Sequence, residues 1–332
     1  RTKGNPEKKK EEKDRITMVL PLTIAPMLAV SAPPFNSPAY LFELKWDGLR
    51  GLAFLTAATK LQSRTGRDIS FQYPELGTLQ HQVKVPEVVL DGEIIVLADG
   101  KPSFERLQSR MHTTTAPNIQ AAMRQDPVVY VVFDLLYLKG QSLMDRPLEA
   151  RQELLQSVVV PSPNLIISSP IPEAGQELFR QTQALGLEGV IGKAKDSPYL
   201  PGKRSPYWKK ARVTKSADFV ICGYTKSPQG RKDLSALVIG VYAGADLESY
   251  GLVGTGFSQP EIDHLLHRFA ALNQKEAPVK NPPRLKSVQW LKPHLVCAVE
   301  YLAVTPDRHL RHPLYKGLRE RPPETCRVED LS

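Results

Sequence analysis

The sequence predicts an α+β protein of two domains, and three observations lead to that fold class. The chain has 332 residues, about twice the usual length of one domain. Its 41% hydrophobic and 24% charged residues are typical of globular proteins and exclude a disordered or fibrous chain. Near residue 215 the apolar pattern changes from alternating strand-like and helix-like segments to closely spaced strands.

The first 15 residues are predicted to be a solvated basic tail or linker. They hold seven Lys or Arg and four acidic residues, and they have too few apolar side chains to build a core. The apolar stretch at residues 18–30 follows, but it is short and interrupted by two prolines. It cannot cross a bilayer, and no membrane association is expected.

The first domain is predicted to cover residues 16–215 and to mix strands with helices. Runs rich in Val, Ile, Leu and Phe predict strands at Tyr40–Trp46, Val88–Val96 and Val128–Tyr137. Segments with helical periodicity predict helices at Leu148–Ser157 and Gly175–Leu185.

The second domain is predicted to cover residues 216–332. Its strand candidates are Phe219–Tyr224, Ala236–Tyr242, Tyr250–Gly254 and Val296–Val304, with one helix at Pro260–Asn273. About five short strands with a single helix are typical of a small β-barrel of the OB type.

The segment Glu43–Arg50, Glu-Leu-Lys-Trp-Asp-Gly-Leu-Arg, is the strongest candidate for chemistry. Side chains alternate along a strand, so Glu43 and Lys45 are expected on one face while their apolar neighbours face the core. The turn at Asp47–Gly48 would bring the backbone close to a ligand and return Arg50 to the same pocket. Taken alone, the octapeptide also fits an ordinary surface strand.

Acidic residues recur in or beside later apolar runs. Asp91 and Glu93 share one face of such a run, Asp134 lies inside the next, and Glu188 precedes a third. Burying a carboxylate costs several kcal/mol unless a cation or donor meets it, so Arg or Mg²⁺ partners are expected. For each acid alone, capping by the backbone or by an arginine is the simpler interpretation.

Positive charge is concentrated in residues 193–215. The chain has 44 Lys and Arg against 35 Asp and Glu, a formal net charge of +9, and this block holds eight cations against one acid. Strand alternation would direct Lys210 and Arg212 to one side and Lys209 to the other. Because aromatic residues are interleaved, the block suits phosphates and a nucleic-acid backbone. No Gly-x4-Gly-Lys-Ser/Thr loop occurs, so side chains and strands would hold a nucleotide.

Cysteine and histidine spacing argues against structural cross-links. The three cysteines form no Cys-x-x-Cys pair, and the two His-x-x-His pairs have no cysteine or carboxylate at zinc spacing. Neither a disulfide framework nor a zinc site is expected, and a reducing, cytoplasmic location is predicted.

Six motifs, taken in order, resemble those of the ATP-dependent DNA ligases. They are Lys45-x-Asp-Gly-x-Arg50, Ser63-Arg64-Thr65-Gly66, Asp91-Gly92-Glu93, Phe133-Asp134-Leu135-Leu136, Glu188-Gly189-Val190 and Trp208-x-Lys210-x-Arg212. Each is weak alone, but six in one order are specific. The likeness runs from about residue 26 to residue 321 and is greatest to the ligase module of bacterial non-homologous end-joining enzymes, in the covalent nucleotidyltransferase superfamily.

That resemblance implies an ATP-grasp-like nucleotidyltransferase domain of mixed sheets and helices, followed by an OB-fold domain. It also implies that Lys45, once neutral, attacks the α-phosphorus of ATP and holds AMP as a phosphoramidate. AMP would then pass to the 5′-phosphate of a nick, and the 3′-hydroxyl would displace it. The second domain would close over ATP and later over DNA.

The resemblance assigns nucleotide contacts to further residues. Glu43 would read the adenine amino group, and Phe133 would stack on the ring. Arg50 and Arg64 would hold the ribose and the DNA phosphate region.

Glu93 and Glu188 would bind a ribose hydroxyl or Mg²⁺, for which Mn²⁺ could substitute. Lys193 would also bind the nucleotide. A regular strand, however, points Lys193 away from the face of Glu188 unless Gly192 forms a bulge.

Lys210 and Arg212 would neutralise the α-phosphate during an in-line displacement. In the second domain, residues 311–319 resemble the last motif of the family. Arg311, Lys316 and Arg319 would therefore contact DNA or phosphate, or act in closure over ATP.

Two departures from the family pattern affect these expectations. Arg212 stands where the family usually has a second lysine, so a forked guanidinium replaces a point charge. After Arg319 the family usually has an aspartate and a lysine, and Glu320-Arg321-Pro322 lacks both. Slow or differently organised self-adenylation is therefore expected.

Two alternatives remain open at this point. An RNA ligase or RNA-capping guanylyltransferase shares the Lys-x-Asp-Gly core, and a non-catalytic descendant would bind nicks without forming an adduct. The expected partners are nicked or broken duplex DNA and a Ku-like end-binding protein. The chain is expected to act as a monomer in the cytoplasm, on the bacterial nucleoid.

Overall fold

A computed structural model describes residues 20–226, 234–285 and 287–331, which form two compact units. The units meet between Val213 and Thr214, two residues before the boundary predicted from the sequence. The predicted tail at residues 1–15 lies outside the described residues. The α+β architecture expected from the sequence is confirmed.

The first unit contains twelve strands and four α-helices among its described residues. The strands are β1 Leu28–Ser31, β2 Ser37–Leu44, β3 Leu49–Leu55, β4 Thr59–Ser63, β5 Val88–Ala98, β6 Lys101–Pro102, β7 Val128–Leu138, β8 Gln141–Ser142, β9 Leu165–Ile167, β10 Ile171–Glu173, β11 Gly189–Ala194 and β12 Arg204–Arg212. The helices are α1 Phe104–Met111, α2 Ala116–Gln125, α3 Leu148–Val158 and α4 Gly175–Ala184. No described helix of the chain is long and apolar enough to span a membrane.

These strands form two sheets that pack face to face. One has the order β1-β12-β11-β2-β10, and the other has the order β4-β3-β5-β7-β8 with β6 beside β5 and β9 beside β7. Apolar side chains of both sheets, such as Leu52, Phe133 and Trp208, fill the space between them. Helix α3 packs on the far face of the second sheet, and α4 packs on the far face of the first.

The alternation of side chains along the apolar runs accounts for most strands of the first unit. Strand β2 ends at Leu44, so Lys45 follows the strand instead of lying inside it as predicted. Helices α1 and α2 were not predicted, because each buries a single apolar residue, Leu107 and Ile119 respectively. One buried position in two or three turns gives too weak a periodicity to identify a helix.

The second unit is an OB-fold β-barrel. Its strands are β13 Lys215–Thr225, β14 Ala236–Ala243, β15 Asp246–Val253, β16 Asn273–Gln274, β17 Gln289–Leu291, β18 Val296–Tyr301 and β19 Leu314–Arg319, with helix α5 at Gln259–Phe269. Strand β13 pairs with β14 along one edge and with β17 and β18 along the other, and β19 pairs with β18. The backbone N–H of Tyr315 donates to the carbonyl of Thr255 at 2.9 Å, which links β19 to the segment after β15.

All three cysteines of the chain lie in the second unit as free, buried thiols. Burial raises the pKa of Cys222 and Cys297 well above the ordinary value for a thiol. It raises the pKa of Cys326 to about 11. The expected absence of a disulfide framework therefore agrees with three thiols that serve as core residues.

Candidate active site

A cleft opens between the two sheets of the first unit. Its walls include eight residues that the sequence motifs single out: Glu43, Lys45, Arg50, Arg64, Glu93, Phe133, Lys193 and Lys210. Two more join this group: Glu188 through its ion pair with Lys45, and Arg212 through its contact with Glu188. The fold therefore brings together motifs that are spread over 170 residues of sequence.

Lys45 is fixed at the end of β2. Its backbone N–H donates to the carbonyl of Gly189 at 2.8 Å, and its ammonium group forms an ion pair with Glu188. The other carboxylate oxygen of Glu188 lies 3.6 Å from Nε of Arg212. Burial raises the pKa of Glu188, and Lys45 opposes that shift. The amine thus rests beside a carboxylate that is costly to keep charged.

Gly48 lets the chain after Lys45 lie directly on β5. A Cβ atom at position 48 would stand 2.4 Å from the carbonyl oxygen of Ile94 and 2.8 Å from Cγ of Glu93. The close backbone approach at this glycine is made to the neighbouring strand β5. This contact sets the path by which the chain returns to Arg50.

Arg50 enters the cleft with its guanidinium already bound. Its Nε and Nη2 donate to the two carboxylate oxygens of Asp91 at 2.5 and 2.6 Å. The hydroxyl of Tyr199 donates to the same carboxylate at 2.6 Å. The guanidinium also lies over the ring of Phe133, 4.7 Å from its centroid. Asp91 therefore receives the arginine partner expected for a buried acid.

Glu93 lines the same cleft two residues further along β5. Burial raises its pKa to about 8, while Arg50 and Lys45 act in the opposite direction. Within the described ranges no cluster of three or more metal-ligating side chains occurs. Glu93 and Glu188 still fit Mg²⁺, because that ion uses one or two carboxylates together with substrate phosphates and water.

A second ion pair lines the same cleft as Lys45. The ammonium group of Lys193 pairs with Glu43, and both side chains are almost fully buried. Lys193 Nζ lies 4.1 Å from the ring centroid of Phe133 and 4.4 Å from that of Trp208, so two aromatic faces help to offset its burial. Ser168 donates its hydroxyl to Glu43 at 2.5 Å.

Of the two alternatives left open for Lys193, the structure shows the regular strand and no bulge at Gly192. Strand β11 pairs with β2 and β12 in unbroken register through Gly192 and Lys193. The change of direction comes earlier, at Gly189, whose φ is +151° and which leaves no room for a Cβ atom beside the carbonyl of Ala211. Glu188 precedes the strand, so it can reach Lys45 while Lys193 reaches Glu43.

The basic block forms β12 and its flanks. Lys210 lines the cleft, and burial together with Arg212 and other nearby cations lowers its pKa to about 8. Lys209 projects to the other face, 4.9 to 5.0 Å from the centroids of two aromatic rings, as alternation predicts. Arg204 also lines the cleft. Sequence reasoning placed it in the basic block but not in the site.

Asp134 does not face the cleft. Nε and Nη2 of Arg151 donate to its two oxygens at 2.7 and 2.9 Å, and both side chains are fully buried. Nη1 of Arg151 donates to the carbonyls of Arg146 and Ser197. For this acid the simpler interpretation, capping by an arginine, is correct.

The predicted cations of the last motif lie in the second unit, on and just before β19. The ammonium group of Lys316 is 3.3 Å from Glu300, and Nε of Arg319 is 3.8 Å from Asp218. The backbone of Arg311 is hydrogen-bonded to residues 302 and 303. The side chains of Lys316 and Arg319 remain nearly half exposed, so they are accessible to phosphate.

Arg321 stands where the family pattern has an acid, and the fold supplies an acid from elsewhere. Its Nη1 donates to Asp218 at 2.9 Å, and its Nε and Nη2 donate to Thr325 at 2.8 Å. Asp218, on β13, therefore contacts both Arg319 and Arg321. Sequence reasoning missed this residue, which is about 100 positions away from the motif.

Comparison with known proteins gives two family models that together span most of the chain. The ATP dependent DNA ligase domain matches residues 26–212, and the ATP dependent DNA ligase C terminal region matches residues 230–322. The multifunctional non-homologous end joining DNA repair protein LigD of Mycobacterium tuberculosis is 35% identical over 92% of this chain and 40% of its own length. DNA ligase C1 of Mycolicibacterium smegmatis is 31% identical over 93% of each chain.

Solved structures agree with these matches. The ligase domain of M. tuberculosis LigD covers 91% of this chain and 97% of its own, with a TM-score of 0.51 and 31% identity. A mycobacterial DNA ligase D complexed with ATP and MES gives the same coverage, with a TM-score of 0.53 and 32% identity. The chain spans about 40% of the length of the LigD proteins that it matches.

Proposed function

The chain belongs to the ATP-dependent DNA ligase family, and we propose that it seals breaks in duplex DNA through a lysyl-AMP intermediate on Lys45. The observation that carries this proposal is the position of Lys45. It lines one cleft together with a buried donor–acceptor pair suited to adenine, Glu43 and Lys193, and with Lys210 of β12, whose cation suits phosphates.

In the first step, neutral Nζ of Lys45 attacks the α-phosphorus of ATP. The nitrogen–phosphorus bond forms as the bond to the bridging oxygen breaks, and pyrophosphate leaves. Glu188 is the nearest base for the proton that the amine must lose, because its carboxylate already contacts Nζ and burial raises its pKa. Lys210 and Arg212 stabilise the charge that develops on the α-phosphate.

The carboxylates that would hold Mg²⁺ are Glu93 and, when it is deprotonated, Glu188; Mn²⁺ could take its place. When bound, the ion would neutralise part of the triphosphate charge. Other residues of the cleft contact the nucleotide. Arg50 and Phe133 orient the nucleoside, and Arg64 faces the phosphate region from β4 and its loop.

In the later steps AMP passes from Lys45 to a 5′-phosphate, and a 3′-hydroxyl displaces AMP to form the phosphodiester. Arg311, Lys316 and Arg319 are proposed to contact DNA or ATP phosphates during these steps. The exposed side chains of Lys316 and Arg319 and the net charge of +9 support that role.

Partners and location are part of the proposal. Relatives that carry non-homologous end joining in their names support nicked or broken duplex DNA as substrate. Recruitment by a Ku-like end-binding protein is a further part of the proposal. We propose that the chain acts as a monomer in the reducing cytoplasm, on the nucleoid. Its three free thiols are compatible with that setting.

Intact mass spectrometry tests the nucleophile. The chain is stripped with pyrophosphate and incubated with ATP and Mg²⁺ in the absence of DNA, and one added AMP is expected. Lys45→Ala should give no adduct, whereas Lys209→Ala, a neighbouring lysine on the far face of β12, should give one. Absence of an adduct in the stripped protein, combined with failure to seal a pre-adenylated nick, would refute the proposed function.

A further inference from the structure

Both oxygens of the Glu43 carboxylate are held by separate partners. One pairs with the ammonium group of Lys193, and the other accepts a hydrogen bond from the Ser168 hydroxyl at 2.5 Å. The exposed fractions of Glu43, Ser168 and Lys193 are only 3%, 6% and 1%. The carboxylate therefore cannot rotate about its last bond without losing two charge-assisted contacts.

Ser168 is itself fixed by the fold. It lies between β9, which belongs to one sheet, and β10, which belongs to the other. Its backbone N–H donates to the carbonyl of Val132 on β7 at 2.8 Å. The hydroxyl is thus anchored to the strand that carries Phe133, while it orients a side chain on the opposite sheet.

We propose that Ser168 is a positioning residue that sets the preference of the cleft for adenine. This inference rests on the proposed function, since it concerns the base of the ATP that Lys45 attacks. Adenine presents a donor, its 6-amino group, beside an acceptor, N1, and these match a carboxylate beside an ammonium group. Guanine presents an acceptor and a donor in the same places, so a fixed Glu43–Lys193 pair opposes it.

The Ser168 hydroxyl affects base preference because it fixes the orientation of the Glu43 carboxylate. Without Ser168, one oxygen of Glu43 would be buried with no donor, and the group could turn to find water. A turned carboxylate would present its lone pairs away from the amino group. Discrimination at that position of the ring would weaken, while the chemistry at Lys45 would be unchanged.

The test compares ATP with purine riboside 5′-triphosphate, which keeps the ring of adenine but lacks the 6-amino group. The second-order rate constant for formation of the lysyl-nucleotide adduct is measured under single-turnover conditions with both nucleotides. Ser168→Ala should lower the ratio of ATP to analogue by roughly three- to tenfold. The rate with the analogue should stay close to that of the wild type. Ser169→Ala, at the exposed neighbouring position, should leave the ratio unchanged.

A double-mutant cycle identifies the route of the effect. If Ser168 acts through Glu43, then Ser168→Ala should add nothing to the ratio once Glu43→Gln is present. If Ser168→Ala does not fold, Ser168→Cys keeps the volume and supplies a weaker donor for the same comparison.

Three results can be told apart. An equal loss with both nucleotides, or no loss with either, would overturn the role of Ser168 while the wild-type adduct still upheld the proposed function. An absence of any wild-type adduct would instead remove the proposed function itself. A lowered ratio that persists in the Glu43→Gln background would also overturn the inference, because the effect would not pass through Glu43.

Discussion

Two carboxylate–cation pairs of the first unit, the partly buried Lys45–Glu188 and the fully buried Asp134–Arg151, differ in how many further groups their cations can still bind. Arg151 donates to both oxygens of Asp134 and to two backbone carbonyls, and neither side chain has any exposure. Lys45 touches one oxygen of Glu188, and 16% of its side chain remains exposed. A saturated pair holds the fold, whereas an unsaturated pair can exchange its partner for a substrate.

The largest predicted effect is a loss of stability when the Asp134–Arg151 pair is broken. Arg151→Ala leaves Asp134 as an uncompensated buried charge and should lower the free energy of unfolding by roughly 3–5 kcal/mol. Urea denaturation measures this loss. Arg124→Ala, an exposed arginine on α2, is the matched control and should change stability by less than about 0.5 kcal/mol. A loss below 1 kcal/mol for Arg151→Ala would remove the distinction between the two pairs.

Glu188→Gln should show the reverse pattern. It removes the base beside Lys45 and should slow lysyl-AMP formation by roughly 10²- to 10³-fold. Stability should fall by no more than about 1 kcal/mol, because the burial that raises the pKa of Glu188 is not a penalty for an amide. Intact mass spectrometry measures the rate of adduct formation, and urea denaturation measures the stability. A strongly destabilised variant would mean that this pair also belongs to the scaffold.

Lys209 and Lys210 sharpen the contrast within one strand. Lys210→Ala should reduce kcat/KM for ATP by roughly 10- to 100-fold, because a charge-assisted contact to phosphate is lost. Lys209→Ala should change it by less than about threefold, since that ammonium lies over aromatic rings on the far face. Similar losses in both variants would contradict the observed alternation.

Glu93→Gln should change the free energy of unfolding by an amount that depends on pH. Burial raises the pKa of Glu93 from 4.5 to about 8, so the folded protein binds this proton more tightly than the unfolded chain does. The contribution of Glu93 to wild-type stability therefore falls as pH rises from 4.5 to 8. The Gln variant should gain stability relative to the wild type through this window and be nearly equal to it at pH 4.5.

Denaturation of Glu93→Gln at several pH values checks this window. Glu153→Gln, at an exposed position on α3, should show no such trend. If the difference in unfolding free energy between Glu93→Gln and the wild type does not vary with pH, burial does not raise the pKa of Glu93.

Local motifs made much of the site predictable. Lys45 and Arg50, or Asp91 and Glu93, lie close in sequence, so alternation and turn chemistry indicate which side chains share a face. The same reasoning could not distinguish Asp134 from Glu188, because a carboxylate beside an apolar run looks alike whether its cation is saturated or not. That difference arises only when the strands are packed together.

Contacts between distant segments were beyond the reach of the sequence. Ser168 is 125 residues from Glu43, and Tyr199 is 108 residues from Asp91. Periodicity assigns a residue to a face of its own strand, but it does not say which remote strand will face it. The orientation of Lys193 stayed open for a related reason, because Gly189 and Gly192 are equally permissive and only packing against β12 shows that the unusual backbone conformation is at Gly189.

The burial of every native thiol has a practical consequence for optical work. The thiols of Cys222, Cys297 and Cys326 are buried away from solvent, and burial keeps them protonated at neutral pH. Maleimide dyes should therefore not react with them. Cysteines introduced at exposed Glu153 and Glu276 would then be the reactive handles, one in each unit. A donor and an acceptor fluorophore at those two positions would test whether the distance between the units changes when ATP or DNA is added.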